Sequence, residues 1–177
     1  MKKWLFILFS CCVLIGCQQE RVEEVEKEPY AFYEHNKKPR EIYLQEGELT
    51  KEISYTVLNQ HCWNADLSQC SSELKELPSR DIFGHQQEPK FQPNTMVTIM
   101  ASANEDITLS EEEQLPYPTT IEAFQIVDET LVPVTTLQGN ELTLPNEAGV
   151  YTYVFKITFD EHYKGIAFYS WRVRVEE

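Results

Sequence analysis

The sequence predicts an all-β fold, an antiparallel β-sandwich preceded by an export signal and a short acidic tether. Residues 151–175 alternate apolar and polar side chains with the period of two that is typical of half-buried strands. Upstream, short apolar segments are separated by Pro, Gly and Asn, and no stretch has the spacing of an amphipathic helix. About 160 residues would remain after removal of the signal, which is the size of one domain.

The N-terminus has the pattern of an export signal. Lys2 and Lys3 precede an apolar run over residues 4–15, which is too short to span a bilayer and is followed by polar residues. The run ends in Leu-Ile-Gly-Cys, which resembles the lipobox of bacterial lipoproteins. That resemblance implies that residues 1–16 are a signal peptide and that Cys17 carries the lipid. The alternatives are an ordinary signal peptide with an incidental cysteine, or cleavage before Cys11.

Residues 17–40 are expected to form a lipidated N-terminus and a tether. The segment after Cys17 is rich in Glu and nearly lacks core-forming residues, although a short surface helix is an alternative. The chain has 15 basic and 29 acidic residues and a formal charge of −14, which argues against nucleic acid and against anionic headgroups as partners. The expected membrane contact is therefore through the acyl chains on Cys17, at the extracytoplasmic face of the cell membrane.

Residues 41–177 are expected to form the sandwich domain. Two strands at its C-terminal end, joined by a turn at 160–165, should form a long hairpin with an aromatic inner face that includes Trp171. One helical turn is expected at 110–113, before two prolines. The other strands are expected at 41–44, 53–58, 96–101, 121–127, 131–134 and 141–144.

The turn before the hairpin, Gly149-Val150-Tyr151, resembles the turn that precedes the penultimate strand of immunoglobulin-like domains. The resemblance implies that Tyr151 forms a tyrosine corner. Tyr153 stands where antibody domains place a cysteine, so their inter-sheet disulfide is missing. More broadly, the chain resembles small uncharacterised lipoproteins of Gram-positive bacteria in its lipobox, acidic tether, Cys62-Trp63 step and closing hairpin. This resemblance implies a location and a fold but no reaction.

Two cysteines remain once the signal and the lipid site are set aside. Cys62 and Cys70 are expected to form a disulfide, because an isolated pair in an extracytoplasmic protein is usually bonded. The bridge is expected to staple a polar loop rather than to hold the core. A zinc site that includes His61 and a pair of free thiols are the alternatives.

No catalytic residue, cofactor or metal site is predicted. The four histidines lack metal-ligand spacing, and the sequence has no nucleophile elbow, P-loop or glycine-rich nucleotide turn. The acidic stretch 104–113 is expected to be a solvated loop, with Ca²⁺ binding as the alternative. The turn at 160–165 is expected to be a soluble hairpin tip. Trp63 and Asp66, in the stapled loop, are the candidate residues for contact with a partner.

These patterns predict a non-enzymatic binding or accessory module of the cell envelope. Its partner would be an envelope protein, a peptide or a wall component. One alternative is an envelope hydrolase or metal-dependent enzyme whose site assembles only in the fold. Another is an inhibitor of extracellular proteases, with the 62–70 loop inserted into a protease cleft.

Overall fold

A computed structural model describes residues 38–47, 54–83, 88–102, 117–161 and 163–177. Within these residues the strands form two open sheets that pack face to face over one hydrophobic core, so the predicted β-sandwich is confirmed. The predictions for the signal peptide, the lipobox, the turn at 110–113 and the tether up to residue 37 lie outside the described residues. The predicted end of the tether at residue 40 is wrong, because Arg40 is 3% exposed and its carbonyl oxygen accepts a hydrogen bond of 2.7 Å from Oη of Tyr169 in the core.

Eleven strands are present in the described part of the chain, and we number them in chain order. Two short 3₁₀ turns, Leu67–Gln69 and Arg80–Phe83, lie between the third strand and the fourth. The strands are β1 Ile42–Glu46, β2 Ser54–Tyr55, β3 Val57–Trp63, β4 Lys90–Phe91, β5 Met96–Ala101, β6 Thr120–Val127, β7 Thr130–Pro133, β8 Leu137–Gln138, β9 Glu141–Thr143, β10 Gly149–Asp160 and β11 Lys164–Val175.

The strands pair in two separate sheets, which we call sheet A and sheet B. Sheet A has the order β2-β1-β5-β9-β8, and sheet B has the order β3-β11-β10-β6-β7, with β4 pairing in parallel with the end of β11. The run β1-β5-β9-β8 against β11-β10-β6 corresponds to the A-B-E-D and G-F-C sheets of an immunoglobulin-like sandwich. In this comparison β2, β3 and β4 form an excursion between the first and second strands of that fold.

The predicted C-terminal hairpin is the centre of sheet B. Strands β10 and β11 pair over twelve residue positions, and their aromatic face is buried as predicted. Trp171 is 2% exposed, and its ring lies 5.9 Å from that of Tyr153 and 5.7 Å from that of Phe91. Its Nε1 donates a hydrogen bond of 2.7 Å to Oγ of Ser54, which joins the hairpin to sheet A.

The tyrosine corner is present at the start of β10. Oη of Tyr151 donates a hydrogen bond of 2.8 Å to the carbonyl oxygen of Glu147, four residues upstream. Tyr153, two residues after Tyr151, is buried at the position where antibody domains have a cysteine. Burial raises the pKa of Tyr153 well above its usual value, so its hydroxyl stays protonated in the core.

The predicted strand 53–58 is wrong as a single strand. Ser54 and Tyr55 pair with β1 in sheet A, whereas Val57 begins β3 in sheet B. The break falls at Thr56, whose backbone N–H and hydroxyl both donate to the carbonyl oxygen of Ile42, at 3.0 and 2.7 Å. These two bonds hold the chain where it crosses from one sheet to the other. The short strands β4 and β8 and the extension of β3 to residue 63 were not predicted.

Candidate functional site

The predicted disulfide is confirmed. Cys62 lies in β3 and Cys70 follows the 3₁₀ turn Leu67–Gln69, with their Cα atoms 5.7 Å apart. The bond closes a ring on the outer face of sheet B, the face turned away from the sandwich core. We call residues 64–79 the strap. They begin inside this ring and continue beyond Cys70 along the same face.

Asp66 is exposed and caps the turn inside this ring. Its Oδ1 accepts a hydrogen bond of 3.0 Å from the backbone N–H of Ser68, and its Oδ2 accepts one of 3.4 Å from Nε2 of Gln69. Hydrogen bonds with Ser68 hold the pKa of Asp66 below its usual value. The carboxylate therefore serves local structure, because short polar side chains at this position satisfy the first N–H groups of a turn.

Trp63, the other sequence-predicted contact residue, is not exposed. It is the last residue of β3 and is 9% exposed, with its ring 5.0 Å from that of Phe159. The alternation of β3 turns this side chain inward, onto the position of Gly165 in β11. The absence of a side chain at Gly165 leaves room for the indole, so Trp63 belongs to the core rather than to a binding loop.

The strap covers a second hydrophobic cluster, which corrects the expectation that the disulfide only staples a loop. Cys70 is 5% exposed and packs with Val154, Ile166 and Phe168, which point outward from β10 and β11. Partly buried residues complete this cluster, among them Leu67 and Leu74 of the strap and Phe124 and Ile126 of β6. The disulfide therefore holds the strap against an apolar part of the sheet.

A cleft of about 620 Å³ lies between the strap and β3. Its floor includes Asn59 and Gln60, and its walls come from residues 74–79, 81 and 82. Asn59 is the extra residue of a β-bulge, because Leu58 pairs with Tyr169 and Gln60 with the adjacent Phe168. A bulge redirects side chains, and here it places two consecutive amides in the cleft.

Hydrogen bonds fix the shape of this cleft. Oε1 of Gln60 accepts a bond of 3.0 Å from the backbone N–H of Lys75, and its Nε2 donates one of 3.4 Å to the carbonyl oxygen of Glu73. Oδ1 of Asn59 is buried without a hydrogen-bond partner among the described residues. Bulges are over-represented next to functional sites, and a buried polar atom without a partner is rare in folded proteins. Nothing in the sequence marks the bulge, so sequence reasoning missed the cleft.

Basic side chains on the outer face of sheet B form ion pairs with carboxylates. Glu88 forms ion pairs with Arg172, whose Nε lies 2.8 Å from Oε1, and with Arg174, whose Nη2 donates a hydrogen bond of 2.7 Å to Oε2. Lys156 forms an ion pair of 2.7 Å with Glu122. Glu88 comes just before β4, so its two ion pairs hold the end of the β2–β4 excursion against β11. The pair between Lys156 and Glu122 instead joins β10 to β6.

The other sequence-predicted positions come together in no further site. The described residues contain no group of three or more His, Cys, Asp or Glu side chains placed to hold a metal ion. At the hairpin tip, Asp160 forms an ion pair of 3.2 Å with Lys164. His35, His85, His162 and the acidic stretch 104–113 lie outside the described residues.

Removal of the disulfide is expected to destabilise the domain. The double variant Cys62→Ala/Cys70→Ala should lose about 2.5 kcal/mol of unfolding free energy, the chain-entropy value for so short a ring. Equilibrium urea unfolding followed by circular dichroism measures this loss. The wild-type protein in reducing agent is the matched control and should show the same shift. An unchanged unfolding midpoint in both samples would contradict the role given to the bond.

No protein family, curated protein or solved structure matches this chain.

Proposed function

We propose that the protein is a membrane-anchored extracytoplasmic lipoprotein that acts as a non-enzymatic binding module of the cell envelope. Lipid on Cys17 holds it at the membrane, and the sandwich presents its surfaces to an envelope component. The observation that carries this proposal is the Cys62–Cys70 disulfide. Structural disulfides persist in oxidising compartments and are rare in the cytosol, which agrees with the export signal and the lipobox of the sequence.

The architecture supports binding as the activity. The cleft between β3 and the strap has apolar walls at Leu74, Leu77 and Ile82 and polar groups at Asn59 and Lys75. Sites of this kind combine apolar contact area with a few polar groups that orient a ligand. The disulfide and the hydrogen bonds of Gln60 fix one wall, which limits the entropy lost when a partner is bound.

The anchor is tested by the intact mass of protein extracted from membranes. Wild type should begin at Cys17 and carry a diacylglycerol increment, and Cys17→Ala should lose this increment. Cys11→Ala is the matched control: it should give a mature mass identical to wild type, since Cys11 leaves with the signal. A wild-type product that lacks lipid and is released into the medium would overturn the anchor.

The same membrane-extracted protein can be used to test whether Cys62 and Cys70 are bonded. Two thiols should react with an alkylating reagent only after reduction, because Cys62 and Cys70 are bonded. Alkylation without reduction would show that these cysteines are not bonded and would contradict an oxidising location. Free thiols or a zinc site would then be the favoured interpretations.

The binding role is tested with a photo-crosslinking side chain at Leu77, which is 39% exposed in the cleft. A discrete envelope product is expected from this position and not from Val150, an exposed residue on the outer surface of sheet B. Turnover of an envelope polymer by the purified protein would instead favour the hydrolase alternative. Inhibition of an extracellular protease that depends on residues 62–70 would favour the inhibitor alternative.

A further inference from the structure

The outer face of sheet A carries two parallel rows of side chains. Its strands turn Ile42, Leu44, Val97, Ile99 and Leu142 inward, so the alternate residues face outward. The register aligns the first row across β2, β1 and β5 as Tyr55, Tyr43 and Met100. The second row lies across β1, β5 and β9 as Gln45, Thr98 and Glu141.

The first row is apolar and accessible. Tyr55 is 57% exposed and Met100 is 37% exposed, and the rings of Tyr43 and Tyr55 lie 6.2 Å apart at an angle of 55°. The second row supplies an amide, a hydroxyl and a carboxylate beside these rings. The face therefore offers apolar contact and hydrogen-bonding groups in adjacent lines.

The charge of this face excludes an acidic partner. The five strands of sheet A contain no Lys or Arg, and their charged residues are Glu46 and Glu141. The basic residues of the described strands all belong to sheet B: Lys90, Lys156, Lys164, Arg172 and Arg174. With a chain charge of −14, sheet A would repel nucleic acid and anionic polymers, whereas an uncharged ligand meets no such repulsion.

The size of the face favours a single polymer strand over a folded partner. Strand spacings of about 4.8 Å and a rise of about 3.4 Å per residue give a surface of roughly 20 by 15 Å. This is on the order of 300 Å², whereas a stable protein interface covers about 800 Å² on each partner. A second copy of the chain would therefore find too little area here for a stable dimer.

Between the two common uncharged polymers, the chemistry favours a glycan over a peptide. An extended peptide needs partners for its N–H and C=O groups, and a sheet supplies these at its edge rather than on its face. A sugar chain presents C–H faces to aromatic rings and hydroxyl groups to neighbouring polar side chains. The spacing of adjacent strands is also close to the length of one sugar unit, so successive units can meet successive strands.

We propose that the outer face of sheet A binds a single strand of neutral polysaccharide. Tyr43 and Tyr55 stack on sugar rings, while Gln45, Thr98 and Glu141 form hydrogen bonds with hydroxyl groups. The inference names a ligand class for the proposed binding module, and it rests on that function because the lipid anchor places this face within reach of envelope glycans.

Isothermal titration calorimetry of the membrane-extracted protein in detergent tests this proposal. The probe is a hexasaccharide of β-1,4-linked N-acetylglucosamine, and saturable binding is expected. Tyr43→Ala and Tyr55→Ala should each raise Kd about tenfold. Val150→Ala removes a comparably exposed apolar side chain from sheet B and should leave Kd unchanged. Thermal unfolding of all three variants should match wild type within a few degrees, since the truncated side chains are partly or largely exposed.

Failure of this proposal is distinguishable from failure of the anchor. Absence of saturable binding, or a Kd that both tyrosine variants leave unchanged, would overturn the glycan face even if Cys17 is lipidated. Crosslinking of this face to an envelope protein, without glycan binding, would also overturn it. Tyrosine-dependent binding by a chain that lacks lipid would support the face and contradict only the anchor.

Discussion

The variant Trp171→Ala is expected to lose about 4 kcal/mol of unfolding free energy, the typical cost of removing a large aromatic side chain from a core. Trp171 is almost fully buried between the rings of Phe91 and Tyr153. The substitution also removes the hydrogen-bond donor to Oγ of Ser54, which is a buried hydroxyl. Because whole domains are stable by about 5 to 15 kcal/mol, this one change removes a large part of the total.

Equilibrium urea unfolding gives the size of this effect. Trp171→Phe is the matched variant: it keeps most of the apolar contact but loses the hydrogen bond, so its loss should be less than half as large. Ser54→Ala removes the same bond from the other side and should cost about 1 kcal/mol. A loss below 1 kcal/mol for Trp171→Ala would contradict the central position given to this residue.

The variant Gly165→Ala is expected to lose about 3 kcal/mol, at the upper end for one added methyl group in a packed core. A Cβ at this position would lie 2.3 Å from Cε3 of Trp63 and 2.7 Å from the carbonyl oxygen of Cys62. Both distances are shorter than a non-bonded contact allows, so β3 and β11 would have to move apart. The strap is attached to β3 through Cys62, and we therefore expect it to shift as well.

A double-mutant cycle isolates the cause of this loss. In the background Trp63→Leu, which removes the indole ring, Gly165→Ala should cost less than half as much as in wild type. An equal cost in both backgrounds would assign the effect to the Cys62 carbonyl or to the backbone of Gly165. Gly139→Ala is not a suitable control, because its φ of +64° introduces strain of another kind.

The strands that the sequence predicted best are those with one core face and one outer face. Residues 96–101 were predicted with correct bounds, and the predicted hairpin differs from β10 and β11 mainly at its ends. In both places most of the residues predicted to face inward are buried, so the local alternation was enough to predict the strands. The prediction failed where the chain changes sheets at Thr56, because the break depends on two hydrogen bonds that Thr56 donates to Ile42 in another strand, and the local alternation does not show them.

The candidate sites were harder to predict for the same reason. Exposure of Trp63 depends on a glycine 102 positions further along the chain, which only the β3–β11 register brings beneath the indole. The bulge at Asn59 depends on a mismatch between two strands and leaves no mark on either sequence. The tyrosine row of sheet A likewise requires the register of three strands, β2, β1 and β5.

The all-β class, the buried aromatic hairpin, the tyrosine corner at Tyr151 and the pairing of Cys62 with Cys70 were all predicted from the sequence and are present in the structure. Each follows from local periodicity, a short motif or the count of remaining cysteines, which need no knowledge of distant neighbours. The burial of Trp63, the covering of one face of sheet B by the strap and the exposed tyrosine row of sheet A became apparent only from the three-dimensional structure. These features depend on which strands pair and in what register, and pairing energy is shared between residues far apart in the chain.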